Sequence, residues 1–429
     1  MATLDSVTVD GRMAIALAGF IIRKSQKCFR FCEWGWTSER TSCQALVRES
    51  LQTEGLPDSS FVTLNLEDIG LGINTGNDLY DYCKAHLNPS GRTYIFLDEI
   101  QRIKGWHDAV NAMRVAFDCD LYVTGSNAFL LSSELSTYLS GRYVEVRMLP
   151  LSFEEYVYFC GVKLNASRTV GVTLSGEIVT CDDLMSRYLT YGGMPAIANL
   201  DVTQGMHEAY MAGLYDAVVV RDIFDRERHA SKRLISNRET FDRLTRFLAD
   251  NVGNQCSANS IANALESRGA RVSRDTVASY LTALTDAYVF YPCERYDIHG
   301  KALLRTLPKY FLADVGIRSY LEGYRPSDVG RVFENAVFHE LLYRGWSVHV
   351  GKLYGKEVDF VAVRDGRVVY LQVTDELFAE ETRKRELDPL RSIRDNHEKA
   401  VIVRQGTYER DVDGIRILTP SEFFFGEYM

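Results

Sequence analysis

Two acids stand side by side at the end of an apolar run in "RTYIFLDEIQRIKGW", residues 92–106. Tyr94 to Leu97 are four consecutive apolar residues, the pattern of a strand that helices cover on both faces. That pattern puts Asp98 and Glu99 at the carboxyl edge of a parallel sheet, where open α/β folds bind ligands. It matches a Walker B motif, in which Asp98 holds a magnesium ion through water and Glu99 polarises the water that attacks a terminal phosphate. A plainer use is Asp98 as the cap of a helix from Ile103 to Phe117. An apolar run closing on two acids is more than a cap requires.

The residues that follow extend the same edge. "DLYVTGSNA", 120–128, gives a second buried strand at Leu121 to Val123, ending in the polar groups Thr124, Ser126 and Asn127. Of these, Asn127 is expected to sense the γ-phosphate. Arg142 precedes a further strand, Tyr143 to Met148, and is placed to reach transition-state charge on a nucleotide in its own or a neighbouring subunit. A turn-stabilising Asn127 and a solvated Arg142 are the plainer alternatives.

With "LYVTGSNAFLLSSELSTYLSGR", "LPLSFEEY", "YLTYGGMPAI" (188–197), "VVRDIF" (219–224), "FENAVFHELLYRG" and "KEVDFV", the chain resembles a family of prokaryotic AAA-like ATPases whose C-terminal half is a domain of uncharacterised function. The resemblance runs from about residue 60 to the end. It implies a P-loop NTPase fold, a parallel sheet with helices on both faces, with ATP as ligand and Mg2+ as its metal.

That family pattern demands GxxxxGK followed by Ser or Thr ahead of the acids. Its glycines turn backbone N–H groups onto phosphate oxygens, and its lysine bridges the β and γ phosphates. What stands here is "EWGWTSERTSC", residues 33–43. A register from Gly35 keeps the first glycine and Ser42 but puts Arg40 and Thr41 in place of Gly-Lys. A register from Trp34 loses both glycines, to Trp34 and Glu39, yet sets Arg40 where lysine belongs and Thr41 where the magnesium hydroxyl belongs. The second register is preferred, because Thr41 then opens a helix through "TSCQALVRESLQ". In either, side chains fill space that glycine leaves open, and Glu39 sets a carboxylate against phosphate charge. Residues 22–40 also hold two of the four tryptophans and two of the nine cysteines, and lack the apolar strand that leads into such a loop. Genuine degeneration and a pair of compensating frameshifts both produce such an island, and an unaltered reading frame on resequencing would remove the second.

Further along, residues 221–246 carry eight basic and five acidic residues in a helical pattern, more readily a solvated face than a nucleic-acid contact. "SANSIANALESRGARVSRDTVASYLTALTDAYVF" reads as helix, turn, helix, with Ser273 as N-cap and Val277, Leu281, Leu284 and Tyr288 as its buried stripe. A hairpin from Val289 to Phe311 completes a winged helix-turn-helix. Residues 251–310 hold seven basic and five acidic residues, with Arg271, Arg274, Lys301, Arg305 and Lys309 as phosphate contacts, so weak or partner-assisted DNA binding is expected. In "KEVDFVAVRDGRVVYLQVT", Asp365 and Gly366 separate two alternating β-branched runs, a hairpin signal. Its register sets Asp359 opposite Gln372 and Glu357 opposite Thr374. This resembles restriction-endonuclease-like nucleases, whose Asp and Glu-x-Lys, with a helix Glu such as Glu334, bind magnesium. Gln372 and Thr374 replace that Glu and Lys, so a retained fold with a disabled centre is expected.

The resulting layout is an ATPase domain over 1–160, a helical lid and basic connector over 161–240, a winged helix over 241–325 and a small α+β endonuclease-like domain over 326–429. At 429 residues, 46% hydrophobic and 25% charged, the chain has material for two to four domains. A net charge of −9 disfavours nonspecific nucleic-acid binding by the chain as a whole. Nine cysteines without CxxC pairs read as reduced thiols. The apolar run "MAIALAGFII" is too short for a bilayer, and its acidic leader is unlike a signal peptide, so a cytoplasmic protein without membrane contact is expected. A protein partner and an oligomer fit the reading as well. A pseudo-ATPase scaffold and a nuclease are the alternative functions.

Overall fold

The computed structural model describes residues 29–34, 40–125, 143–198, 202–217, 223 and 237–426, with the backbone alone for 29–34, 40–43, 46, 143–148 and 305–306. The chain divides into two compact units. The first comprises residues 1–148 and 214–231, the second 149–213 and 232–429.

Five parallel strands form the sheet of the first unit: β1 Phe29–Trp34, β2 Phe61–Asn65, β3 Thr93–Asp98, β4 Cys119–Gly125 and β5 Tyr143–Met148, in the order β2-β3-β4-β1-β5. The apolar run of β3 is buried on both faces, as its unbroken pattern predicts. Ile95 and Leu97 join Leu121, Val123, Leu79, Val110 and Met113 on one side, under α2 Gly76–Ala85 and α3 Trp106–Ala116. Phe96 and Tyr122 stack at 4.6 Å on the other and pack against Val47 and Leu51 of α1 Arg40–Thr53. Helices therefore cover both faces of a parallel sheet, the layer order of an α/β fold.

One expectation is overturned at once. The sequence 22–40 offers no apolar strand, yet Phe29–Trp34 is the strand between β4 and β5, paired in parallel with both. Placement between two partners supplies backbone hydrogen bonds on both edges, which outweighs weak local strand propensity.

The second unit opens with α4 Phe153–Phe159, a small antiparallel sheet of β6 Lys163–Leu164, β7 Val170–Val172 and β8 Ile178–Thr180, and α5 Cys181–Tyr191. After the helical segments Pro195–Ala198 and Gln204–Tyr215 come α6 Arg238–Asp250, α7 Ala258–Ser267 and α8 Arg274–Asp286, then the hairpin β9 Phe290–Asp297 and β10 Ala302–Leu312. Ser273 caps α8 through a bond from Thr276 N, as expected. The buried stripe is Val277, Tyr280, Leu281 and Leu284; Tyr288 falls beyond the helix end, at φ 52°, and Tyr280 takes the place expected of it.

That hairpin is the edge of an eight-stranded sheet ordered β10-β9-β11-β12-β13-β14-β16-β15. Its other strands are β11 Ser347–Leu353, β12 Lys356–Arg364, β13 Arg367–Thr374, β14 Glu398–Val403, β15 Asp411–Val412 and β16 Ile415–Leu418. β9 pairs in parallel with β11, so the expected wing is built into the sheet. β12 and β13 pair with Phe360 opposite Leu371, the register predicted from Asp365-Gly366, whose φ angles of 50° and 80° suit a two-residue hairpin turn. Against this sheet pack α9 Val315–Glu322, α10 Val329–Tyr343, α11 Glu380–Arg391 and the short α12 Pro420–Phe424.

Candidate functional site

In the first unit, β3 delivers Asp98 to the carboxyl edge of the sheet, where its side chain is buried. The parallel register sets Asn65 of β2 beside Asp98 and pairs Leu97 with Val123, which brings the next residue of β4, Thr124, to the acid. Thr124 Oγ1 donates to Asp98 Oδ1, and Thr124 is itself buried. On the other side of β4, Cys32 of β1 pairs with Thr124 and Glu33 with Gly125. The ends of β1, β3 and β4 thus lie on one edge. β1 ends at Trp34 and α1 begins at Arg40, and residues 35–39 between them lie outside the described residues. Gln44 of α1, buried, donates to the Leu97 carbonyl at 3.2 Å and ties that helix to the end of β3.

Asp98 does not cap the following helix. Its side chain accepts from Thr124, while α3 starts at Trp106 with Gly105 as its N-cap. Glu99 takes a left-handed backbone conformation, φ 55° and ψ 46°, at the start of a short 3-10 turn, and Gln101 Nε2 donates to its carboxylate. Arg40, Thr41 and Ser42 form the first turn of α1, with only their backbone described. Gly35, Asn127 and Arg142 lie outside the described residues. Thr124, one of the polar residues expected at this edge, is a residue of β4 in contact with the acid. Its signal was the sequence position just past the buried run of β4.

The second unit gathers a different constellation. Lys309 of β10 is buried, with 3% of its surface exposed. Its ammonium lies 2.8 Å from Glu357 Oε1, 3.0 Å from Glu334 Oε1 and 3.9 Å from Asp359 Oδ1. Burial by itself would push this ammonium down, but Glu334, Asp359 and Glu357 outweigh it and hold Lys309 above the ordinary lysine value. Burial, reinforced by Glu334 and opposed by Lys309, raises the Asp359 carboxyl. A cavity of about 850 Å³ opens beside the cluster, with Arg331, Lys356, Arg385 and Glu386 on its wall.

Asp359 and Gln372 do meet across the hairpin. Gln372 Oε1 accepts from Asp359 N at 2.6 Å, its Nε2 donates to Glu386 Oε2 at 3.0 Å, and Asp359 Oδ2 accepts from Val373 N at 2.9 Å. An amide suits this place because it donates to one partner and accepts from another, whereas a carboxylate would face Glu386 as a like charge. Thr374 Oγ1 donates to the Glu376 carbonyl at 3.2 Å. Lys309, expected among the phosphate contacts, points into this cluster instead. Arg271, Arg274 and Lys301 are exposed, as that expectation requires, and the Arg305 side chain lies outside the description.

A model of the AAA domain matches residues 41–157, and a domain of unknown function matches 182–328. An uncharacterised protein of Haemophilus influenzae is 36% identical over 373 residues, covering 86% of this chain and 88% of that protein. The chain belongs to that protein's family. Its first unit carries an AAA-type, ATPase-like domain, which implies nucleotide binding. A second uncharacterised protein, MJ1544 of Methanocaldococcus jannaschii, is 27% identical over 331 residues, covering 76% of this chain and 71% of its own. Among solved structures, the Walker-type ATPase PABY2304 of Pyrococcus abyssi aligns with a TM-score of 0.47 at 12% identity, over 72% of this chain and 95% of that one. The AAA match starts at Thr41, so the aberrant island 22–40 lies outside it. No helix among the described residues is long and apolar enough to cross a membrane.

Proposed function

We propose that the first unit binds ATP with magnesium at the carboxyl edge of its sheet and hydrolyses it slowly. The observation that carries this reading is the buried Asp98, bonded by Thr124, at the end of a strand separated only by β4 from β1, the strand that precedes α1 in the chain. A carboxylate and a hydroxyl at a sheet edge are hard oxygen donors of the kind magnesium prefers. Asp98 holds the ion through water, with Thr41 as the hydroxyl offered from α1. Bound there, magnesium neutralises phosphate charge. Glu99 polarises the attacking water, Asn127 senses the γ-phosphate and Arg142 meets transition-state charge. Gly35, Arg40, Thr41 and Ser42 form what remains of the phosphate loop. The second unit engages a protein partner or, weakly, DNA through α8 and the turn before it, where Arg274 and Arg271 are exposed.

A pseudo-ATPase scaffold is the second reading, favoured by Trp34 and Glu39 standing where glycines belong. Titration of the full chain with ATP and magnesium, together with a phosphate-release assay, separates the two. On the first reading the wild type binds. Glu99→Gln still binds but turns over about 10²-fold more slowly, the usual worth of a positioned general base, and Asp98→Asn loses the magnesium dependence. A folded wild type that does not bind, but that Glu39→Gly with Arg40→Lys rescues, supports the scaffold. Failure of the rescue as well would sink the nucleotide reading of this edge.

A further inference from the structure

We propose that the ammonium of Lys309 is the resident cation of the carboxylate cluster in the second unit, and that this cluster therefore takes no divalent metal. The inference stands on the second unit alone and is independent of what the first unit binds.

Three carboxylates converge on one point from two elements: Glu334 from α10, and Glu357 and Asp359 from β12. In the nucleases that this hairpin resembles, such acids gather around magnesium. Here Lys309 reaches the same point from a third element, β10, and puts its Nζ between them at 2.8, 3.0 and 3.9 Å. An ammonium offers three donors and one positive charge to acids that all accept. Magnesium would need these same oxygens at roughly 2.1 Å in an octahedral shell. It would then sit against the Lys309 nitrogen and add two positive charges beside one that is already buried, where screening is weak. The donor set therefore does not fit the metal.

The strand opposite agrees with this. Gln372 brings no charge and spends its amide on Asp359 N and Glu386, while Thr374 turns to the Glu376 carbonyl. Gln255 donates to the outer oxygen of Glu357, so that acid is held on both sides. Lysine is the one member of the cluster whose removal leaves buried acids uncompensated. It belongs to the segment that sequence analysis assigns to phosphate contact, and its burial shows it in a different role.

The test uses the full chain without nucleotide and Mn2+ as the probe, with binding read by electron paramagnetic resonance and melting read with Mn2+ or EDTA present. Wild type is expected to show no Mn2+ site that Asp359→Asn removes, and the melting of the second unit should not respond to the exchange of EDTA for Mn2+. Lys309→Met should create a site, lost again on adding Asp359→Asn, and Mn2+ should raise its melting temperature. Recovery of a Lys309→Met chain that folds only with Mn2+ supports the proposal too. An Asp359-dependent Mn2+ site in wild type overturns it, and so does a folded Lys309→Met chain that binds no Mn2+. Should that variant fold under neither condition, a wild-type crystal soaked in Mn2+ decides: an anomalous peak at Glu334 or Asp359 overturns the proposal, and lysine density alone among the acids upholds it.

Discussion

Glu99 holds a left-handed conformation that residues with a side chain seldom adopt, at a cost on the order of 1 kcal/mol. The conformation turns the chain sharply between the buried Asp98 and the 3-10 turn after it, so neighbouring acids serve different directions. Another single residue gives a measurable pH response. Glu340 of α10 is buried, accepts from Arg344 Nε at 2.7 Å, and burial pushes its carboxyl up to about 7, against the pull of Arg344. The folded state thus holds this proton more tightly than the unfolded chain. Its stabilising contribution is complete below the ordinary glutamate value of 4.5 and is lost as pH rises through about 7. The nearby Glu155 and Glu154 act in the same direction. Urea unfolding of wild type and Glu340→Gln at pH 5 and pH 8 should differ in slope with pH, the wild type losing about 3 kcal/mol more. Parallel profiles would refute the assignment.

At the scale of elements, the segment "YGGMP" acts as a seat for the start of α9. Asp314 caps that helix by accepting from Gly316 N at 2.7 Å, and its other oxygen accepts from Gly193 N at 2.7 Å. Leu151 N in turn donates to the Gly193 carbonyl at 2.8 Å, and Tyr188 hydroxyl to the Leu151 carbonyl at 2.9 Å. Gly316 is required by close approach: a Cβ there would lie 2.2 Å from the Tyr191 carbonyl oxygen. Helix propensity alone favours Gly316→Ala by about 1 kcal/mol. The clash with backbone outweighs that gain, since overpacking costs roughly 1–3 kcal/mol or more. Gly316→Ala should therefore lower the denaturation midpoint of the second unit, and a raised midpoint would show the seat to be yielding.

Over the whole molecule, two compact units predict two calorimetric transitions. ATP with magnesium at a hundred times its dissociation constant should stabilise the first unit by about 2.7 kcal/mol and leave the second where it was. A single transition that moves as one would contradict this. Local pattern made much of the fold legible. The buried run Tyr94 to Leu97, the α7–α8 pair and the turn at Asp365-Gly366 each depend on neighbours in sequence, and each stands where periodicity puts it. The adjacent Asp98 and Glu99 were readable for the same reason. Three decisions belong to the tertiary structure. β1 is a strand because β4 and β5 flank it, although "FRFCEW" mixes charge with aromatic residues. Thr124 reaches Asp98 because parallel strands align across 26 residues of chain. Lys309 is interior because acids from α10 and β12 converge on it and compensate its charge, which no count of surface lysines contains.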